Sequence, residues 1–373
     1  SQAHSPALRP ALASVDLLSG GAAQLLIVAP TRYHEALAPL VQARRAEGLS
    51  VRVVDVAQIY EHYGQGMVDP QAIQRFIRIA HQRLGTRYVL LAGGDTYDPL
   101  NRLGLNSVSD IPTFYGRTHA VVNHAPMDSR YADIDDDGAP DLALGRLPVR
   151  TAAELSQAVQ RILQRATSNL GASAVYVAER SNPAEGSNYA AEMDAILGSM
   201  PAAWQSAAQR VYLDQYPSGA SGVAQARSAV LSSLQAGRSL LAYFGHGSPT
   251  VWSREQLLQA AQLPGLLNLS SAPVVAEFGC WGGYFVAPQY NTMAHAWMSS
   301  SANGAAAMFA SGGLTEHHSD RRMAENLLPR LSRPGVRLGD ALLESKRSLH
   351  ASEPELKDIV EGLMLFGDPS MRM

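Results

Sequence analysis

Sulfur chemistry in these 373 residues is confined to one cysteine, Cys280, apart from methionine. A single thiol excludes an internal disulfide framework and any metal site built from several thiolates. Long apolar runs are also missing, and no stretch reaches the roughly 18 residues that a membrane-spanning helix needs. The opening residues lack a basic start followed by an apolar stretch, so the chain reads as mature or trimmed, and the missing signal peptide does not argue against secretion. Nor is there an excess of one charge: 30 Lys and Arg stand against 33 Asp and Glu, a formal net charge of −3. The basic residues are scattered, which excludes a phosphate-tracking surface for nucleic acid and a polybasic membrane anchor. No fixed-period repeat supports a solenoid. The turn after the first apolar run reads Pro30-Thr31-Arg32 and carries no phosphate-cradling glycines, which argues against a nucleotide-binding enzyme.

What is present is a substantial core. Apolar types make up 46% of the chain, and the length suggests about two domain-sized units. Residues 1–22, rich in Ala, Ser and Pro, read as a loosely ordered lead-in. Apolar strand-length runs then alternate with amphipathic stretches. Strands are expected at Leu25 to Ala29, Val51 to Val56 and Tyr88 to Ala92, with helices at His34 to Gly48 and Pro70 to Gly85. Thr96 to Pro140, rich in Asp, Asn, Pro and Gly, reads as an extended loop region of the kind that carries function. Alternation resumes after Arg150, with helices at Ala152 to Ser168, Asn188 to Leu197 and Val223 to Ala236. Further strands are expected at Ala174 to Ala178, Arg210 to Leu213, Leu240 to Phe244, Val274 to Phe278 and Ala305 to Ala310, and Asp320 to Leu365 reads as mostly helical. Strands alternating with helices imply a parallel sheet. The division expected is an N-terminal α/β subdomain over 23–150, containing the acidic loop, and a C-terminal catalytic one over 151–373.

Two of these strands run into glycine-flanked reactive side chains: Gly245-His246-Gly247 and Gly279-Cys280. Open parallel sheets place their ligand sites at the carboxyl edge, where both residues fall. A lone cysteine is more often a buried small hydrophobe, and a lone histidine more often structural. The glycines before and after Cys280 favour tight turns and close substrate approach instead. An imidazole, titrating near about 6.5, is the usual base for a thiol nucleophile. Backbone N–H groups of Gly247 and Cys280 are the candidate oxyanion donors for an acyl-transfer intermediate.

The segments Tyr243-Phe244-Gly245-His246-Gly247, Glu277-Phe278-Gly279-Cys280, Gly304 to Thr315 and Leu365-Phe366-Gly367-Asp368-Pro369 together resemble the catalytic region of gingipain-type cysteine peptidases. The likeness runs from about Leu25 to the C-terminus and includes Leu90-Leu91-Ala92-Gly93-Gly94-Asp95 and Leu144-Gly145-Arg146-Leu147-Pro148. It implies a caspase-like α/β fold, with parallel-rich sheets flanked by helices in two subdomains. It also implies a secreted or cell-surface endopeptidase that cuts peptide or protein substrates through a Cys–His dyad and needs no cofactor for the chemistry. The resemblance further implies a third member, Asp128 in Asp128-Ser129-Arg130-Tyr131, orienting His246. It puts Asp137 at the floor of a pocket for a basic P1 side chain and makes the loop after the Ala305 to Ala310 strand a pocket wall. That loop here reads Gly313-Leu314-Thr315-Glu316-His317-His318, which lacks the aromatic ring usual in the family and offers Glu316 and His317 as pocket residues.

The acidic loop has a second use. Asp133, Asp135, Asp137 and Asp141 surround Gly138 in the manner of the front of an EF-hand calcium loop. Leu144 stands where the twelfth-position glutamate belongs, so the expectation is a shorter Asp-rich turn holding structural Ca2+. Asp137 cannot both bind calcium and stand free for P1. Two other functions share the residue set: a thiol transpeptidase that passes the same acyl-enzyme to an amine, and a peptide- or protein-binding module that does not cut. Oligomeric state is not legible in the sequence.

Overall fold

The structure, a computed structural model, describes residue 12 and residues 15–168, 170–266, 271–299 and 303–373. Most of the expected lead-in lies outside the described residues. Ten strands form one sheet: β1 (Leu25–Ala29), β2 (Val51–Asp55), β3 (Tyr88–Ala92), β4 (Ala143–Leu147), β5 (Ala174–Ala178), β6 (Ala208–Tyr212), β7 (Leu240–Phe244), β8 (Val274–Phe278), β9 (Ala307–Ser311) and β10 (Leu363–Phe366). Their order is β2-β1-β3-β4-β10-β9-β8-β7-β5-β6. All neighbours pair in parallel except β9 and β10. The four strands from the first 150 residues thus sit together at one end. They join the remaining six through the β4–β10 contact, whose register is the single pair Phe366↔Arg146.

Sequence dictates this architecture locally. β1, β3, β5, β7, β8 and β9 are buried at every position, as required of parallel strands covered by helices on both faces. The covering helices include α1 (His34–Ala46), α2 (Val56–Tyr63), α3 (Pro70–Leu84), α4 (Ala152–Thr167), α5 (Tyr189–Gly198), α6 (Ala220–Gln235), α7 (His317–Leu331) and α8 (Leu338–Ser352). α3 shows why such a stretch is helical. Asp69 caps it by accepting from Gln71 N–H, Pro70 occupies the first turn, and Gly85 ends it at φ 68°. Its buried stripe, Ile73, Phe76, Ile77 and Ala80, has helical spacing.

Two strands depart from the expected pattern. β4 is absent from the expected set because Gly145 and Arg146 interrupt its apolar run. Gly145 is required there, since a Cβ would strike the Gly367 carbonyl. β10 ends a region expected to be mostly helical; α7 and α8 occupy most of that region, but Leu363–Phe366 turns back antiparallel onto β9. The Thr96 to Pro140 region is largely irregular, with two-residue strands at Tyr115–Gly116 and Ala125–Pro126 and a four-residue helix at Ser129–Ala132. No helix among the described residues is long and apolar enough to cross a membrane.

Candidate active site

Parallel register assembles the site. Ala178, Phe244 and Phe278 are aligned across β5, β7 and β8, so the residues that follow them, Glu179, Gly245-His246 and Gly279-Cys280, emerge side by side at the carboxyl edge. The backbone reinforces the alignment. Glu179 N–H donates to the Phe244 carbonyl at 3.0 Å, and Gly245 N–H to the Phe278 carbonyl at 3.1 Å. The turns then pack closely, because a Cβ on Gly279 would strike the Gly245 carbonyl and one on Gly247 would strike the Cys280 carbonyl. Trp281 adopts φ 68°, a left-handed conformation that is costly for a residue with a Cβ. The surroundings hold it: Trp281 N–H donates to the Gly313 carbonyl and Gly283 N–H to the Ser311 carbonyl, both at 2.9 Å.

His246 is partnered on both ring nitrogens. Its Nδ1 lies 2.8 Å from Glu179 Oε2 and 3.2 Å from the Tyr189 hydroxyl. A carboxylate only accepts, so Nδ1 carries the proton and Nε2 presents a lone pair. That lone pair faces Arg254 Nη2 at 3.0 Å, and Arg254 is itself paired with Glu185 at 2.7 Å. Glu179 is almost wholly buried and also accepts from the backbone N–H groups of His246 and Arg254. It is therefore fixed before the imidazole meets it. The Tyr243 hydroxyl donates to the His246 carbonyl at 2.7 Å and stacks face to face on Trp252, holding the turn from below.

Cys280 is partly buried. Burial, with the Asp320 carboxyl next in effect, pushes its thiol up to about 11, so the resting form is the thiol. The sulfur contacts Thr315 three ways, at 3.4 Å to its carbonyl, 3.5 Å to its N–H and 3.6 Å to its hydroxyl. Beneath the two turns lies Glu277, fully buried and held well above the usual carboxylate range by that burial. Its carboxyl fills the space that side chains on Gly247 and Gly282 would need, which accounts for both glycines.

The other sequence-derived residues are placed differently. Asp128 does not reach His246. Its oxygens are taken by Arg146, Nε at 2.5 Å and Nη2 at 2.8 Å, and by the Thr113 hydroxyl at 2.7 Å. Both ion-pair partners are buried, and Arg146 also donates to the Gly93 and Ile111 carbonyls and lies over the Phe285 ring at 4.8 Å. Asp128 thus belongs to the seam between β4 and β10, while the carboxylate at the imidazole is Glu179. The sequence contained a signal for it: Glu179 follows an apolar strand directly, just as the Gly-His and Gly-Cys pairs do.

Asp137 lies in the acidic loop, its carboxylate accepting from Ala139 N–H at 2.8 Å. It borders a surface cavity with Gln71, Gln74, Arg130 and Lys357, and that lining includes neither Cys280 nor His246. Asp133, Asp135 and Asp141 do converge, with one oxygen each all within 4.8 Å of one another; Asp137 is not among them. Glu316 points to His119 at 2.6 Å and is largely exposed. His317 is closer to His246: its ring packs against Tyr189, which also contacts the His246 ring, and against Phe244, and its Nε2 lies 2.9 Å from Glu192.

A strand-end thiol beside a strand-end imidazole, on a mostly parallel sheet clothed in helices, is the layout of a thiol hydrolase. The chain belongs to peptidase family C25, whose model matches residues 19–373, and it is a cysteine peptidase acting on peptide or protein substrates. Its fold is similar to that of the complex of Porphyromonas gingivalis RgpB pro- and mature domains, at 19% identity and a TM-score of 0.74, over 93% of this chain and 79% of that one. It is similar also to the Arg-specific cysteine proteinase gingipain R (RgpB), at 17% identity and a TM-score of 0.75, over 95% and 79%. No curated protein matches the chain.

Proposed function

We propose that the chain is a secreted or cell-surface endopeptidase in which Cys280 attacks the scissile carbonyl, His246 takes the thiol proton, and Glu179 orients the imidazole. The observation that carries this reading is the shared register of β5, β7 and β8, which aligns the three side chains, together with the 2.8 Å contact from Glu179 to Nδ1. With Nδ1 protonated, Nε2 is free of a proton and able to receive one from Sγ. Arg254 must first give way at Nε2, and Sγ must leave Thr315. The tetrahedral oxyanion is taken by the backbone N–H groups of Gly247 and Cys280. His246 then returns its proton to the leaving amine, and water hydrolyses the thioester.

A basic P1 preference is part of the same reading. The acid suited to it is Glu192 on α5, one turn beyond Tyr189 and paired with His317. Asp137 is remote from that wall. A cationic P1 side chain would replace His317 as the partner of Glu192, whereas an apolar one would leave a charge unpaired. Structural Ca2+ completes the reading. Asp133, Asp135 and Asp141 supply hard oxygen donors at a convergence suited to it. Secretion rests on the family alone. Cleavage of a peptide library, with the sites read by mass spectrometry, tests activity and P1 preference together; no cleavage, or cleavage without any preference for Arg or Lys, sinks the corresponding part.

A further inference from the structure

Behind Cys280 lies a buried acid that the mechanism above does not use. Thr315, whose backbone and hydroxyl surround the sulfur, has its Oγ1 2.8 Å from Asp320 Oδ2. Asp320 belongs to the first turn of α7 and is 4% exposed, and its other oxygen, Oδ1, has no partner among the described residues. Sulfur, hydroxyl and carboxyl thus form one short chain. The other ionisable groups facing it are Glu277 from β8, Glu316 just before α7, Asp358, and Tyr189 from α5. Asp358 is already engaged by Glu316 N–H and the Ser319 hydroxyl.

A hydroxyl has one proton, so Thr315 can donate to one neighbour at a time. When Asp320 is ionised, that proton points to the carboxylate, and the sulfur faces an oxygen lone pair and a nearby negative charge. When Asp320 is protonated, the acid donates to Oγ1 and the hydroxyl proton turns to the sulfur, where it stabilises a thiolate. Burial, followed by the charges of Asp358 and Glu316, raises Asp320 well above the usual carboxylate range, which makes the protonated form accessible. We propose that Asp320 is a positioning residue that determines, through the direction of the Thr315 hydroxyl, how readily Cys280 becomes a thiolate. The proposal rests on Cys280 being the nucleophile. The thiol proton itself still goes to His246, and Asp320 neither gains nor loses one in the turnover.

The test is the rate of Cys280 alkylation by iodoacetamide against pH, a readout of thiolate that needs no turnover. Asp320→Asn removes the charge and offers an NH2 that can donate to Oγ1, and its alkylation at pH 7 is expected to rise on the order of tenfold, equivalent to one pH unit in the profile. Thr315→Val removes the hydroxyl through which Asp320 acts, so adding Asp320→Asn to Thr315→Val should change the rate by no more than about twofold, whereas in a Thr315→Ser background the rise on Asp320→Asn should persist. A superimposable profile for Asp320→Asn overturns the proposal, as does the same rise in the Thr315→Val background, which would mean a direct charge effect. Should Asp320→Asn fail to fold, a parent-like profile for Thr315→Val overturns it instead. If Cys280 is reactive and peptides are cut but these variants have no effect, this inference alone fails; an enzyme that cuts peptides without Cys280 fails the proposed function.

Discussion

Glu179→Gln is the substitution that most sharply separates an orienting carboxylate from a merely structural one. In the native arrangement Oε2 accepts from His246 Nδ1 at 2.8 Å, Oε1 accepts from Arg254 N–H at 2.7 Å, and the side chain is 3% exposed. Glutamine keeps the shape but offers one acceptor and an NH2 group. Losing the charge-assisted bond alone costs about 1.5–3 kcal/mol, or roughly 10- to 150-fold in rate. If the amide NH2 faces Nδ1, the imidazole proton moves to Nε2, where it blocks the base; the analogous swap in a serine-protease triad costs about 10⁴-fold. The expectation is therefore a fall in kcat of at least about tenfold, with KM within about threefold, because Glu179 stands behind His246 and does not touch substrate. Steady-state kinetics on the best-cleaved library peptide measure both. A kcat within about twofold of the parent would refute the assignment, above all if Asp128→Asn lost activity while keeping its stability.

Other outcomes follow from the same structure. Asp128→Ala strands the buried Arg146 guanidinium and is expected to lower stability by about 3–5 kcal/mol, measured by denaturant unfolding; a loss under about 1 kcal/mol contradicts the seam role. Lys346, buried and donating to the Ser129 hydroxyl and the Leu363 carbonyl, is lowered by that burial from 10.5 to about 7. The unfolded chain thus holds more protons between those values, and stability rises with pH across that window and falls as pH drops toward 7. From pH 7.5 to 9 the gain is about 2 kcal/mol at ~1.4 kcal/mol per unit, and Lys346→Met should flatten it in thermal melts; an unchanged slope refutes the assignment. Chelation by EGTA should lower Tm if the Asp133, Asp135 and Asp141 cluster holds calcium, and Asp135→Asn should remove the effect; an unchanged Tm counts against the site.

Much of the fold was legible because β-branched and apolar runs buried on both faces cannot be mistaken for surface segments. Leu25 to Ala29, Tyr88 to Ala92, Ala174 to Ala178, Leu240 to Phe244 and Val274 to Phe278 all form strands. β4 and β10 were not legible, for reasons that only tertiary contact supplies. Arg146 is tolerated inside a strand because Asp128, eighteen residues earlier, neutralises it, and Gly145 is demanded by the distant Gly367 carbonyl. The placement of Cys280 and His246 could be read from strand ends flanked by glycine. The carboxylate beside His246 could not be chosen by sequence proximity to an acidic loop, because parallel register decides which strand end lies beside β7, and that end carries Glu179. Pocket residues were the least legible. Asp137 and His317 look equally eligible along the chain, yet His317 packs against Tyr189 and Phe244 while Asp137 lies in the acidic loop.

The most direct test of the central claim is hydrolysis of the peptide library by Cys280→Ala beside the parent enzyme, with circular dichroism confirming that both are folded. The account requires the parent to cut and the variant to retain its fold and no measurable turnover. Peptide hydrolysis persisting in folded Cys280→Ala would contradict it.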